Sequence, residues 1–300
     1  MTRDANRGGL LSGDRLKAAA EALAAEVEDK VAARQNGLPT FFDNFVRRAV
    51  AELGRLDPER PWEETCASLP GPEGARLRAR LERLRRYLSG RGERFAEYAA
   101  RAAAGAGAWP SEIERHALAM SQGAAECLHW RGRPLFKTVF DFALVPMMLW
   151  DLRPATVIEL GSGNGASALW MADLMESYGI DGRVYSLDLQ AREIAHPRVS
   201  FLAGDCNQIA GALSAGFLND LGHPWLVVED AHVNVAGVLA HFHPFLATGD
   251  VLYVEDSLTK RADLARFVSE FPGAYKVDTR YTDFFGRNAT CAVDSIFVRL

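Results

Sequence analysis

The second half of this 300-residue chain predicts a doubly wound α/β fold, a mostly parallel, seven-stranded sheet with helices on both faces, preceded by an N-terminal helical extension. Three observations predict it. After Pro154, short β-branched runs alternate with helical segments, which is the pattern of βαβ units. The first of these runs ends in a glycine-rich turn and passes at once into a helical segment. The last two runs lie too close together for a crossover helix, so they are expected to form an antiparallel pair.

Taken in order, the strands are expected at Thr156–Leu160, Arg183–Leu187, Val199–Leu202, Trp225–Val228 and Val251–Val254, with the final pair near Tyr275–Tyr281 and Cys291–Val298. Helices are expected at Ala166–Ser177, Gln208–Ala215, Val235–Leu246 and Ala262–Phe271. Before Pro154 the chain is rich in Ala, Arg, Glu and Leu and shows no convincing strand. Leu16–Ala33, Phe41–Leu53, Glu73–Leu88 and Arg94–Ala104 carry apolar residues at three-and-four spacing. Pro39, Pro58, Pro61, Pro70, Pro110 and Gly105 punctuate them. Residues 1–125 are therefore read as a helical region, expected to cover a site or form a subunit contact, and residues 126–300 as the α/β domain.

Composition narrows the function classes. The hydrophobic fraction is 48% and the charged fraction 24%, as in an ordinary globular protein. A net charge of −5 gives no reason to expect nucleic acid, whose binding footprint is a concentrated basic surface. Cys66, Cys127, Cys206 and Cys291 are scattered, without a C-x-x-C pair, which suits a reducing cytoplasm. No segment approaches the roughly 18 unbroken apolar residues of a membrane helix, and Met1 to Leu11 lacks an apolar leader core. A soluble cytoplasmic protein, in a closed homo-oligomer, is the expectation. Asn288-Ala289-Thr290 matches a glycosylation sequon and is read as chance.

The turn after the first strand reads Glu159-Leu160-Gly161-Ser162-Gly163-Asn164-Gly165, with Ser167 opening the helix. Glycines at alternate positions let the backbone turn sharply and approach a ligand closely. The helix N-terminus behind them offers free N–H groups and partial positive charge. A dinucleotide fingerprint is G-x-G-x-x-G, whereas here the spacing is G-x-G-x-G with an acid two residues before the first glycine. Glu159 beside a phosphate would be repulsive, but it can pair with the ammonium of a methionine. Asp188 ends the second strand, where it can accept from two ribose hydroxyls. Gly204-Asp205-Cys206 follows the third, where Asp205 can take an adenine amino proton. Acids at three consecutive strand ends match one nucleoside-plus-amino-acid ligand, S-adenosylmethionine (SAM).

Strands four and five both end in Glu-Asp, at Glu229-Asp230 and Glu255-Asp256. Neighbouring carboxylates repel unless a cation compensates, and oxygen-only donors favour a hard ion, Mg²⁺ before Ca²⁺. His232 is then placed to act as a general base near neutral pH, with Asp230 as its catalytic neighbour. His241 and His243 do not share a helical face, and no His-x-Asp or His-x-Glu marks an iron site.

The segments Trp130-Arg-Gly-Arg-Pro-Leu-Phe-Lys137, Val157-Ile-Glu-Leu-Gly161, Gly204-Asp-Cys206, Glu229-Asp-Ala-His232, Glu255-Asp256 and Asp283-Phe-Phe-Gly-Arg-Asn-Ala-Thr290 resemble the cephalosporin hydroxylase family, related to the macrolide sugar O-methyltransferases. The resemblance covers roughly residues 125 to 300. It implies a class I methyltransferase fold and Mg²⁺-dependent O-methylation of hydroxylated secondary metabolites. It also implies metal ligands at Asp230, Glu255 and Asp256 and a base at or near His232. Trp130, Lys137, Tyr281, Phe284 and Arg287 are candidates for the acceptor pocket. Three other functions are weighed against this one. A non-enzymatic partner that binds the cofactor without turnover has no need of converging carboxylates. A hydroxylase, or a partner of one, would need an iron or 2-oxoglutarate site, and a nicotinamide oxidoreductase would need the other glycine spacing.

Overall fold

The computed structural model describes residues 13–34, 37–56, 62–68, 71–90, 94–104 and 107–300. The breakers Pro58, Pro61, Pro70 and Gly105 lie outside the described residues. Two compact units are present, Met1–Gly92 and Glu93–Leu300.

The first unit is helical: α1 (Gly13–Ala33), α2 (Phe41–Leu53), α3 (Trp62–Ser68) and α4 (Gly71–Gly90). Leu16, Leu23, Val46, Leu81 and Leu84 form its buried centre, each from the apolar stripe of its helix. α2 starts where the sequence predicts because Thr40 caps it. The Thr40 hydroxyl accepts from the Asp43 N–H at 3.2 Å, and the Asp43 carboxylate accepts from the Thr40 N–H at 2.6 Å. Such a reciprocal cap contributes on the order of 1 kcal/mol.

The second unit begins earlier than residue 126. β1 (Phe95–Ala96) and α5 (Tyr98–Ala104) precede α6 (Arg115–Gln122) and α7 (Val139–Leu152). β1 pairs antiparallel with β7 (Tyr275–Asp278), and Arg94 Nη2 donates to Asp278 at 2.8 Å. Phe95–Ala96 thus form an edge strand of the sheet, and the helix expected over Arg94–Ala104 begins only at Tyr98. The rest of the sheet comprises β2 (Thr156–Leu160), β3 (Arg183–Asp188), β4 (Val199–Ala203), β5 (Trp225–Glu229), β6 (Val251–Val254) and β8 (Ile296–Arg299). The order is β1-β7-β8-β6-β5-β2-β3-β4, with β2 to β6 parallel, β8 antiparallel to both its neighbours β6 and β7, and β1 antiparallel to β7. The seven expected strands are present in the expected sense, and the two-residue β1 adds an eighth.

Helices α8 (Ala166–Ser177), α9 (Val235–Phe242) and α10 (Arg261–Glu270) cover the sheet. Alternate strand residues feed two cores. Val157, Val184, Leu226 and Tyr253 pack with Leu144, Met148 and Trp170 on one face. Ile158, Leu187, Val227 and Leu252 pack with Leu239, Phe242 and Phe267 on the other. Burying each such side chain contributes about 1.5–3 kcal/mol. The expected helix Gln208–Ala215 is broken instead: Leu213 is non-helical, and Ser214 caps a new short turn at Ala215–Asn219.

The register positions the site. Leu160 pairs with both Leu187 and Glu229, Leu187 with Leu202, and Glu229 with Val254. The carboxyl ends of five parallel strands therefore lie in one row, and the loops after them open on one edge. The chain order reverses between β2 and β5, the switch point where doubly wound sheets bind ligands.

Candidate functional site

A cavity of about 650 Å³ lies on that edge, within the range of small-molecule sites. Gly161, Gly163, Asp188, Asp205 and Cys206 line one part of it, and Asp230, His232 and Asp256 another.

The glycine loop is shaped by close packing. Gly161 has φ +97°, and a Cβ there would sit 2.7 Å from the Asp230 carbonyl oxygen. Only glycine lets β2 and β5 end this close together. Gly165 has φ +85° and would meet Ile194 Cδ1 at 2.7 Å. Gly161→Ala is therefore expected to lower unfolding stability by about 1–3 kcal/mol through the forced left-handed conformation alone. It should also weaken ligand binding at the loop. Thermal unfolding and SAM titration check both, and an alanine variant matching the parent in each would refute the close-approach argument.

Glu159 lies beneath this loop rather than on the cavity wall. It is 1% exposed, and its oxygens accept from Ser167 Oγ and from Ser186 Oγ, the latter at 2.5 Å. Ser162 is also buried, 2.6 Å from Ser186 Oγ. Burial pushes the Glu159 carboxyl up against these hydrogen bonds. Glu159, Ser162, Gly165 and Ser167 thus brace the turn, whereas Gly161 and Gly163 face the cavity. Asp188 accepts from the Gly163 N–H at 3.1 Å and from Arg192 at 3.0 Å. Asp205 accepts from the Asn207 N–H at 2.8 Å through Oδ1. Burial, then the charges of Glu229, Asp205 and Asp188, raise the Cys206 thiol to about 11, so it stays protonated.

The acid cluster converges at the ends of β5 and β6. His232 Nε2 is 3.2 Å from Asp230 Oδ1 and 3.7 Å from Asp256 Oδ2. These three groups offer donor atoms within 4.8 Å of one another, close enough to share a cation. His232 and Asp256 both hold left-handed backbone, at φ +59° and +47°. Each such residue costs about 1–3 kcal/mol and persists where its surroundings enforce it. The enforcement at His232 is visible, since Glu229 Oε1 accepts from the N–H groups of Ala231 and His232. The hydrogen bond that the His232 imidazole donates to the Asp230 carboxylate raises the imidazole. Burial acts to raise the Asp230 carboxyl, but His232, Lys137 and Lys260 outweigh it and hold it low. Burial, and then the Asp230 charge, push Asp256 up.

Glu255 takes a different partner. It lines the cavity but is buried, with its Oε1 in contact with Lys137 Nζ. Lys137 is buried as well, and the charges of Glu255 and Asp230 overcome its desolvation to raise it. Of the acceptor-pocket candidates only Lys137 lines the cavity. The Trp130 indole donates to Asp173, Tyr281 is buried, and Arg287 donates to the Arg101 carbonyl. Phe136, Leu189 and Val233 form an exposed apolar rim that the sequence reading lacks.

Asp141 is a second omission. It is fully buried in the first turn of α7 and accepts from Thr138, Tyr253, Thr290 and the Cys291 N–H. It thereby fixes the segment that carries Lys137 against β6. The Thr138-x-x-Asp141 spacing ahead of an apolar run is a helix-start signal that could have found it. Asn288, the sequon asparagine, is 0% exposed and donates to the Pro110 carbonyl at 3.0 Å, so it cannot accept a glycan in the folded chain. No helix among the described residues is long and apolar enough to cross a membrane.

A family model described as Rhamnosyl O-methyltransferase/CmcI matches residues 122–273. The rhamnosyl O-methyltransferase of Mycobacterium leprae is 30% identical over 190 residues, covering 57% of this chain and 82% of the relative. That of Mycobacterium tuberculosis is 28% identical over 178 residues, covering 52% and 73%. A solved structure of CmcI with Mg and SAM superposes with a TM-score of 0.51 at 26% identity, covering 58% of this chain and 76% of that chain. An apo structure of CmcI gives 0.51 at 25% identity over the same shares. By this match, on a doubly wound sheet with a cavity at its switch point, the chain belongs to the Rhamnosyl O-methyltransferase/CmcI family and is a SAM-dependent O-methyltransferase.

Proposed function

We propose that the chain methylates a hydroxyl of a small secondary metabolite, a sugar or sugar-bearing acceptor, with Mg²⁺ held by Asp230, Glu255 and Asp256. The observation that carries this reading is that the glycine-loop wall and the acid cluster share one cavity. The relatives' name, with its rhamnosyl acceptor, supports a sugar hydroxyl. The CmcI structure with Mg and SAM supports the pairing of cofactor and ion.

The donor chemistry fits the ion. The carboxylates of Asp230, Glu255 and Asp256 all line the cavity, and hard oxygen donors of this kind suit Mg²⁺. The cluster contains a single imidazole, so it lacks the two histidines of a non-haem iron triad and does not favour a hydroxylase. Imidazole is a poor match for Mg²⁺, which leaves His232 to accept the hydroxyl proton. Asp230, 3.2 Å from Nε2, stabilises the resulting imidazolium. When bound, Mg²⁺ supplies Lewis acidity that makes an acceptor hydroxyl easier to deprotonate. Gly161 and Gly163 give the methionine end a close approach, and Asp188 and Asp205 face the nucleoside end. The chain's contribution is to hold the acceptor oxygen in line with the sulfonium methyl, so that the group moves in one displacement.

Calorimetric titration of SAM, with Mg²⁺ and then with EDTA, tests this together with a methyl-transfer assay on rhamnosylated acceptors. Micromolar SAM binding in both conditions is expected, with transfer in Mg²⁺ and none in EDTA. Absence of SAM binding in both would overturn the reading, and full transfer in EDTA would remove the metal from it.

A further inference from the structure

The Trp130-Arg-Gly-Arg-Pro134 motif lies outside the cavity lining, and its side chains turn to other partners. Two short strands, His129–Trp130 and Arg133–Pro134, form an antiparallel hairpin closed by Arg131 and Gly132. Both turn residues have positive φ, +50° and +76°, as a tight two-residue hairpin turn requires. Strands this short have little stability of their own, so the hairpin stands by what holds it. Trp130 Nε1 donates to Asp173 Oδ2 at 2.6 Å. The Arg131 guanidinium takes the same carboxylate with Nε at 2.7 Å and Nη2 at 2.5 Å. Asp173 sits in the second turn of α8, the helix that opens directly behind the glycine loop.

The other end of the hairpin holds the loop itself. Arg133 Nη1 donates to the Asn164 carbonyl at 3.2 Å, and Asn164 Nδ2 donates to the Pro134 carbonyl at 2.8 Å. Gly161, Gly163 and Gly165 all have positive φ, and a loop with three glycines loses much conformational freedom when it is fixed. Packing does not confine Gly163, since a Cβ there would meet nothing within 4 Å. The bonds to Asn164 therefore fix the turn from outside, next to the glycine that needs it. A loop fixed before its ligand arrives saves the ordering cost on binding.

Resting on the reading that Gly161 and Gly163 receive the methionine end of SAM, we infer that this hairpin is a clamp on the glycine loop. Trp130, Arg131 and Asp173 are its positioning residues, holding the loop in the shape that the amino-acid group of SAM needs. None of the three lines the cavity. Trp130, an acceptor-pocket candidate by sequence, thereby serves the cofactor.

The test is calorimetric titration of the full-length protein with SAM and with 5′-methylthioadenosine, which has the same nucleoside but no amino-acid group. Trp130→Phe with Arg131→Met frees the hairpin from Asp173 and leaves the 3.1 Å contact of Asp173 Oδ1 with His196 Nε2 in place. This double variant is expected to bind SAM about tenfold more weakly, as loss of hydrogen bonds to a charged group should. Its affinity for 5′-methylthioadenosine is expected to stay within about threefold of the parent, the scale of a lost indirect contact. A merely structural role would lower the unfolding temperature and leave the ratio of the two affinities unchanged, and that result overturns the clamp. Should the double variant fail to fold, Trp130→Phe alone keeps the ring and removes only the donor; it is expected to shift the same ratio by about threefold. A parent that holds SAM no tighter than 5′-methylthioadenosine would overturn the assignment of the methionine end to the loop, and the clamp with it. A parent that discriminates, with variants that discriminate equally, overturns the clamp alone.

Discussion

Asp256→Asn is expected to cut kcat/KM for methyl transfer by about three orders of magnitude or more, the scale of losing a preorganised electrostatic group from a reaction centre. The affinity for SAM should change little, because Asp256 lies at the end of β6, away from the β2, β3 and β4 ends that carry Gly163, Asp188 and Asp205. The substitution keeps the shape of the side chain and removes its charge. It therefore separates a role in holding a cation from a role in packing, and at 45% side-chain exposure packing contributes little. Steady-state kinetics in saturating Mg²⁺, paired with SAM titration, is the measurement. Near-parent turnover in the Asp256→Asn variant would exclude Asp256 from the chemistry. Joint loss of SAM binding would instead show that the two walls of the cavity are one unit.

The sheet was legible because its cause is local. β2, β6 and α8 lie where β-branched runs, glycine spacing and helical periodicity put them, and a parallel sheet then brings every strand's carboxyl end to one edge. That geometry makes Asp188, Asp205, Asp230 and Asp256 neighbours from their strand-end positions in the sequence alone. What stayed hidden depends on distant partners. Val139–Leu152 is apolar nearly all round and contains Pro146, so it carries no period from which a helix can be read. β1 has two residues and exists only because β7 offers an edge. Glu255 and Asp256 are adjacent in sequence, yet one is buried and the other exposed. The difference comes from Lys137, 118 residues away. Glu159 likewise has the composition of a ligand-facing acid, but Ser167 and Ser186 claim both its oxygens.

Lys260→Met is expected to destabilise the protein by about 3–5 kcal/mol, the usual cost of stripping the partner from a buried charge. Against a typical total of about 5–15 kcal/mol this is a large share. Glu229 is 0% exposed at the end of β5, and the Lys260 ammonium, at 2.8 Å, is the cation it pairs with. Without that cation the carboxylate must take up a proton or draw in water, and either outcome loosens the turn whose N–H groups it holds at Ala231 and His232. Lys260→Met combined with Glu229→Gln should recover most of the lost stability, because replacing both members of a buried pair is often close to neutral. The glutamine carbonyl can still accept from those two N–H groups, so His232 keeps its left-handed backbone. Equilibrium denaturation of the single and double variants measures the difference. Equal destabilisation in both would mean that the packing of the lysine stem, not its charge, supports β5. Recovery in the double variant would show that Glu229 is held at the end of β5 by charge neutralisation, and that its carboxyl oxygens, charged or not, set the turn that carries Asp230 and His232.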